Sequence, residues 1–178
     1  IDKYAISFPE GLLYEDAYFS LAYTFVSKKC FFVNRPLYTY IRHENSIMDA
    51  TFSGNANALD HLFIAFNLYY FLKENALLKS YKDLYPQILS SYYALAVRFS
   101  PKSEYRKVFD TYKNFVDKNN LLTEFNNNRF IAQIYNNGLY APLSFAQKIF
   151  SIKNSLDGTH KRITFFGIQF TTRRNPKK

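Results

Sequence analysis

The sequence predicts a mainly α-helical fold that ends in a short strand or hairpin. Between about residues 53 and 155, apolar side chains recur three or four positions apart in five successive segments, which is the spacing of one buried helix face. From residue 162 the spacing changes to the alternation that is typical of a strand. The chain has 178 residues, of which 48% are hydrophobic, and this length and composition support one packed domain or slightly more.

The N-terminal third is expected to hold one helix followed by two extended runs. The helix is expected from about Glu15, because apolar side chains recur there at helical spacing. Glu15 and Asp16 suit the positive end of its dipole. Residues 30–33 predict a short buried strand in which Cys30 is an inert thiol, and residues 37–41 predict a second extended run.

The five helical segments carry amphipathic stripes that predict packing as a small bundle. The stripes are Leu59, Leu62, Phe63, Phe66 and Tyr70; Leu84, Ile88, Tyr92, Leu95 and Phe99; Tyr105, Val108, Phe109, Tyr112 and Val116; Phe130, Ile131, Ile134 and Tyr135; and Leu143, Ala146, Ile149 and Phe150. The residues expected at the centre of the core are Phe63, Phe66, Leu95, Phe109, Tyr112 and Ile134. The predicted domains are residues 1–52, a helical domain at 53–158 and a strand-like tail at 159–178.

The net charge of +9 is concentrated at the C-terminus. No acidic residue follows Asp157, whereas six basic residues do, namely Lys161, Arg162, Arg173, Arg174, Lys177 and Lys178. Such a block favours an anionic partner, and a solvated terminus is the alternative. Nucleic acid is not the expected partner, because the aromatic residues fall on apolar stripes and are not interleaved with the basic ones.

The sequence excludes several classes of site. A single cysteine excludes an internal disulfide and a cysteine-based zinc site, and no run approaches the roughly 20 apolar residues of a membrane-spanning helix. There is no glycine-rich phosphate loop, no pair of histidines at metal spacing and no Asp-x-Asp motif. His61 is expected on a helix surface and His160 within the basic tail. A self-sufficient active site is therefore not predicted.

Two segments nevertheless stand out together. The first is FPEGLLYEDAYF at residues 8–19, and the second is RPLYTYIRHENSI at residues 35–47. Over about residues 5–50, their order resembles the C-terminal half of the catalytic domain of bacterial family 2 glycosyltransferases, which are inverting enzymes of the GT-A fold. In that family a Glu–Asp pair opens a helix under the acceptor site, and a Tyr-x-Tyr-Arg-x-His/Arg run follows a strand. The segment at 161–170 also resembles the tails of some bacterial members.

The resemblance implies roles for individual residues. Asp16 would be the catalytic base that removes the proton of the acceptor hydroxyl, with Glu15 as its supporting partner. His43 and Ser46 would contact the donor diphosphate or its metal. In the family, an arginine often occupies the position that directly precedes Arg42 in this chain. Neighbouring residues of an extended segment point to opposite faces. The positive charge of Arg42 would therefore lie on the other face, which makes Arg42 a doubtful ligand.

The resemblance also implies what a longer protein would contain. The nucleotide-binding half, with its Asp-x-Asp motif, would precede Ile1, and a divalent metal, Mg or Mn, is expected there. This chain would supply neither a complete metal site nor a cofactor of its own. The implied fold is a small α/β remnant of a GT-A catalytic domain, followed by the helical bundle and the terminal strand or hairpin.

The implied function is transfer of a sugar from a nucleotide-sugar donor to a saccharide or lipid-linked acceptor in cell-envelope glycan synthesis. The longer protein would be the enzyme, and this chain alone would be inactive. The expected location is the cytoplasm, with peripheral contact between residues 161–178 and the anionic inner face of the cytoplasmic membrane. The alternative is a non-catalytic helical module that binds a partner protein or an anionic membrane surface.

Overall fold

A computed structural model describes residues 2–31, 33–39, 41, 57–138, 150–155, 158–165 and 168–173. The fold is mainly helical, at 55% helix, with a small antiparallel sheet at the C-terminal end. This confirms the prediction of a mainly helical fold with a strand or hairpin at its C-terminal end. The chain divides into two compact units, Ile1–Phe99 and Ser100–Lys178. Within the described ranges, no helix is long and apolar enough to cross a membrane.

The first long helix, α1, spans Glu15–Val26 and confirms the expected start. It follows a short 3-10 helix at Asp2–Tyr4. The buried end of α1 is fixed by two contacts between Phe25 and Tyr81. Their rings meet edge to face with centroids 4.4 Å apart, and the Tyr81 hydroxyl donates a hydrogen bond to the Phe25 carbonyl at 2.8 Å.

The two extended runs after α1 form no strand in the described residues. Cys30, Phe31 and Val33 are exposed, so the predictions of a buried strand and of a buried thiol are wrong. A strand needs a neighbour that pairs with its N–H and C=O groups, and no described segment pairs with this one. Arg35 N–H instead donates to the Val33 carbonyl at 2.9 Å in a tight local turn. The α/β remnant therefore stays a prediction.

Helix α2, Asp60–Glu74, is the centre of the first unit, and both α1 and α3, Tyr85–Phe99, pack against it. It is buried on nearly all sides, as expected of a helix this apolar. Its buried apolar residues are Leu62, Ile64, Ala65, Phe66, Leu68, Tyr69, Phe71 and Leu72. The Tyr85 hydroxyl donates to the Ala65 carbonyl at 3.1 Å, which satisfies a buried polar group and joins the two helices.

The buried face of α3 differs from the predicted one. The inward residues are Tyr85, Leu89, Tyr93 and Ala96, each one position beyond a member of the predicted stripe. Leu84, which begins that stripe, is exposed. One position is a rotation of about 100° around a helix, so the prediction identified the helix but chose the wrong face.

The second unit begins with a 3-10 helix, Lys102–Glu104, and continues with α4, α5 and α6. These helices span Tyr105–Lys118, Leu121–Glu124 and Arg129–Asn137. The predicted stripe of α4 is confirmed at four of its five residues, namely Val108, Phe109, Tyr112 and Val116, with Phe115 buried beside them, whereas Tyr105 is half-buried. The Tyr112 hydroxyl donates to the Ile131 carbonyl at 3.3 Å and so joins α4 to α6.

Half of the expected core centre is confirmed. Phe66, Phe109 and Tyr112 are buried, whereas Phe63, Leu95 and Ile134 are half-buried. Fully buried aliphatic residues lie one position from two of them, namely Leu62 and Ile64 beside Phe63 and Ala96 beside Leu95.

Three antiparallel strands in the order β1–β2–β3 form the sheet. They span Phe150–Asn154, His160–Phe165 and Ile168–Arg173. Strands β2 and β3 confirm the predicted hairpin. Phe150 opens β1, so its assignment to a fifth helix is wrong, and the rest of that stripe lies outside the described residues. Ser155 N–H donates to the His160 carbonyl at 2.9 Å and closes the β1–β2 turn.

Candidate functional site

The expected catalytic pair lies in the first turn of α1. Glu15 is half-buried and Asp16 is exposed. The Asp16 Oδ1 atom accepts a hydrogen bond from Ala17 N–H at 2.9 Å, and Ala17 N–H also donates to the Tyr14 carbonyl at 3.0 Å. Free N–H groups in a first helical turn favour carboxylates. The local backbone therefore fixes the Asp16 carboxylate close to the start of the helix.

The loop that leads into α1 is held by Asp60, at the start of α2. Its Oδ2 atom accepts a hydrogen bond from Leu13 N–H at 3.0 Å, across 47 positions of the chain. Its Oδ1 atom accepts one from Asn57 Nδ2 at 2.7 Å. Asp60 is buried, and hydrogen bonds to a buried carboxylate are among the stronger ones in proteins. Asp60 therefore couples the position of the Glu15–Asp16 turn to α2.

The next residue, His61, packs beneath the same turn. It is 7% exposed, so the expectation of a surface histidine is wrong. Its ring stacks on Tyr14, with centroids 4.3 Å apart and planes 11° apart. Phe99 lies at 5.6 Å and Tyr92 at 6.4 Å from the His61 ring. Tyr14 directly precedes Glu15 and has a left-handed backbone, with φ of 63°. The ring stack with His61 helps to hold this backbone conformation.

Burial controls the charge of this cluster. The Nε2 atom of His61 has no hydrogen-bond partner among the described residues. Burial lowers the pKa of His61, and the neighbouring Asp60 charge offsets part of that effect. Desolvation disfavours the charged imidazolium, so the ring beneath Tyr14 is neutral at pH 7.

Tyr92, on α3, responds electrostatically to Asp16. Burial raises the pKa of Tyr92, and the Asp16 charge raises it further. The Tyr92 phenol therefore stays protonated at neutral pH and keeps a proton that it can donate. A carboxylate that accepts a proton and a phenol that donates a hydrogen bond are thus brought within electrostatic reach of each other.

The sequence prediction found part of this cluster. Asp16 and Glu15 lie together, whereas Arg42, His43 and Ser46 lie outside the described residues. Sequence reasoning missed Asp60, His61 and Tyr92 as a group. A signal for His61 was present, because it is spaced three, four and seven positions from Ile64, Ala65 and Leu68, which are all buried and define an inward helix face.

The described residues do not supply a metal site. Among them, no three histidine, cysteine or acidic side chains are grouped as a metal ion would require. Both carboxylate oxygens of Asp60 already accept hydrogen bonds. Mg or Mn therefore stays a prediction for the longer protein, and neither is placed on this part of the chain.

Comparisons with known proteins give no family assignment. No family model matches the chain, and no curated protein or solved structure matches it.

Proposed function

We propose that this chain is the acceptor-side end and helical C-terminal region of an inverting family 2 glycosyltransferase. The observation that carries the proposal is the Asp16 carboxylate, exposed in the first turn of α1, on a turn that Asp60 and His61 hold from below. A catalytic base needs this combination of access to substrate and fixed geometry. The two-segment resemblance described above supports the same role.

In the proposed reaction the acceptor hydroxyl attacks the anomeric carbon of the sugar donor. The Asp16 carboxylate takes the hydroxyl proton while the new carbon–oxygen bond forms. The bond between the sugar and the diphosphate breaks on the opposite side, so the configuration inverts and the nucleoside diphosphate leaves. Glu15 supports Asp16 in this role, and burial together with the Asp16 charge raises the pKa of Tyr92, so that its phenol stays protonated.

The donor side of the reaction rests on the resemblance alone. His43 and Ser46 would contact the diphosphate, where a positively polarised group stabilises the charge on the leaving group. A divalent metal bound by the preceding half of the protein would supply the same stabilisation. The proposed sugar donor and acceptor are those of cell-envelope glycan synthesis. The proposed place of the reaction is the cytoplasm, at the inner face of the membrane.

The test is Asp16→Asn in the full-length protein. Release of nucleoside diphosphate is measured with a panel of nucleotide sugars and envelope glycan acceptors. We expect kcat to fall by about 10²- to 10⁴-fold, with donor affinity nearly unchanged, because the base acts on the acceptor only in the transition state. Asp83→Asn, an identical change at an exposed residue of the same unit, should leave kcat unaltered.

Two results would remove the proposal. The first is a kcat for Asp16→Asn close to that of the unmodified protein. The second is a reading frame before Ile1 that lacks a strand-rich segment with an Asp-x-Asp motif.

The alternative function is a non-catalytic helical module. One observation favours a binding role for the second unit, namely the exposed apolar side chains Ile152 and Phe170 of its sheet. That role is compatible with the transferase proposal, since a transferase acting on a lipid-linked acceptor also needs a membrane contact.

A further inference from the structure

One face of the sheet in the second unit collects polar and basic side chains. Side chains alternate between the two faces along each strand, so the register of the strands determines which residues share a face. The residues on the polar face include Lys153, His160, Arg162, Thr164, Thr171 and Arg173. Three of these six are positively charged, and the residues of the three described strands include no acid.

Arg162 lies at the centre of this polar face. Lys153 on β1 and Thr171 on β3 are its direct cross-strand neighbours, and Thr164 follows two positions later on the same strand. Directly opposite residues have Cβ atoms about 5 Å apart, and diagonal neighbours such as Arg173 lie at about 7–8 Å. The polar groups around Arg162 can therefore reach one small ligand at the same time.

The two central side chains of the polar face are buried. Arg162 is 7% exposed and Thr164 is fully buried, whereas Thr171 and Arg173 on β3 are exposed. The Thr164 hydroxyl has no hydrogen-bond partner among the described residues. Buried hydroxyls are nearly always hydrogen-bonded, and an unpaired one indicates a bound water, ion or ligand. The polar face thus offers a buried hydrogen-bond donor at its centre and is exposed on its β3 side.

We propose that this face binds the phosphate group of a small soluble ligand through Arg162, Lys153 and the Thr164 hydroxyl. A phosphate accepts several hydrogen bonds and matches the planar fork of an arginine. Positive side chains directly opposite each other on neighbouring strands repel, and a phosphate between Lys153 and Arg162 offsets that repulsion. Because Arg162 and Thr164 are buried, the phosphates of a flat membrane surface fit this site poorly. The inference does not depend on the transferase reaction.

The test is calorimetric titration of the full chain with inorganic phosphate and with pyrophosphate, and we expect saturable binding. Thr164→Val removes the hydroxyl and keeps the strand preference of the side chain, and it should weaken binding about tenfold. Because this hydroxyl has no partner among the described residues, the same variant should unfold at a higher urea concentration than the unmodified chain. A side chain needed only for the fold would give the opposite result in urea.

The positive charge is tested by Lys153→Gln, which should also weaken binding on the order of tenfold. Two matched controls lie on the opposite face of the sheet. They are Lys161→Gln, directly before Arg162 in sequence, and Thr172→Val on β3, and both residues are exposed. Neither control should change the dissociation constant by more than about twofold. Circular dichroism verifies that all variants are folded.

Four results would overturn the proposal. The first is a titration of the unmodified chain without saturable binding. The second is equal weakening by Lys153→Gln and Lys161→Gln, which would indicate general attraction to a positive surface. The third is unchanged affinity of Thr164→Val. The fourth is displacement of bound pyrophosphate by vesicles that contain phosphatidic acid, which would assign the phosphate to a membrane lipid and not to a soluble ligand.

Discussion

Tyr14 holds a left-handed backbone, with φ of 63°, which costs a non-glycine residue roughly 1–2 kcal/mol. Two neighbouring contacts keep it there: the ring stack with His61 at 4.3 Å and the hydrogen bond from Leu13 N–H to Asp60 at 3.0 Å. Both partners belong to the first turn of α2. The direction in which the chain enters α1, and with it the position of Asp16, therefore depends on residues more than forty positions later in the sequence.

The neutral, buried state of His61 predicts a pH-dependent stability. The folded pKa of His61 lies below its unfolded value of about 6.5, so the unfolded state binds the proton more readily. The penalty is absent above the unfolded pKa and grows as the pH falls below it, until the folded pKa is reached. The free energy of unfolding should therefore decrease between pH 7.5 and pH 5.5, with a slope of at most about 1.4 kcal/mol per pH unit from this residue.

His61→Phe isolates this contribution, because it keeps a ring against Tyr14 and removes the titrating group. Urea unfolding at both pH values should give the variant a smaller pH dependence than the unmodified chain. An identical pH dependence in the unmodified chain and in His61→Phe would contradict the prediction.

At the scale of elements, the glycine that follows α6 determines how that helix packs on α4. A Cβ atom at Gly138 would stand 2.6 Å from Phe109 Cδ2 and 2.7 Å from the Ile134 carbonyl oxygen. Both distances are shorter than any normal contact, and Phe109 is buried. Only a residue without a side chain allows α6 to end against the Phe109 ring.

Gly138→Ala should therefore destabilise the chain by about 1–3 kcal/mol, which is the usual cost of overpacking. Urea unfolding measures this cost as a lower midpoint with an unchanged slope. Asn136→Ala, an exposed position two residues earlier in α6, should change stability by no more than about 0.5 kcal/mol. A Gly138→Ala variant as stable as that control would mean that the Phe109 ring can move aside without cost.

Helical periodicity predicted the elements better than their faces. On α4, charged residues separate the apolar ones, so only one stripe exists and the stripe from Val108 to Val116 is confirmed. On α3, tyrosine, leucine and alanine fill adjacent positions, which leaves two apolar stripes. The one that is buried contains Tyr85, whose hydroxyl finds a partner at the Ala65 carbonyl. Whether the hydroxyl in a stripe finds a hydrogen-bond partner depends on the neighbouring helix. The periodicity of α3 alone therefore cannot show which of its two stripes is buried.

For the whole molecule, the far-ultraviolet circular dichroism of the full chain should be dominated by helix. The fold has 55% helix and one small sheet, so the double minimum of a helical protein is expected to be the main feature. Comparing the spectrum before and after thermal unfolding checks that the signal belongs to the folded chain. A spectrum in which strand exceeds helix would contradict the fold.

The candidate site shows where sequence reasoning stops at the scale of the molecule. Glu15 and Asp16 are adjacent in sequence and could be found from a local motif. Asp60, His61 and Tyr92 reach the same place only because α1 and α3 both pack against α2, so tertiary structure alone brings them together. His61 is a partial exception, because its helical spacing to Ile64, Ala65 and Leu68 indicates an inward position, although its contact with Tyr14 depends on the packing of α1 against α2.

The alternation within β2 makes the length of its neighbouring turns a structural constraint. A single-residue insertion or deletion that slipped β2 by one position would send Arg162 and Thr164 to the exposed side and turn Ile163 inward. Such a slip would exchange the positions of the two buried polar side chains and the half-buried Ile163. An insertion or deletion of two residues would keep every side chain of β2 on its present face. Natural variation in these turns is thus expected to occur in even steps, wherever the present orientation of the sheet is under selection.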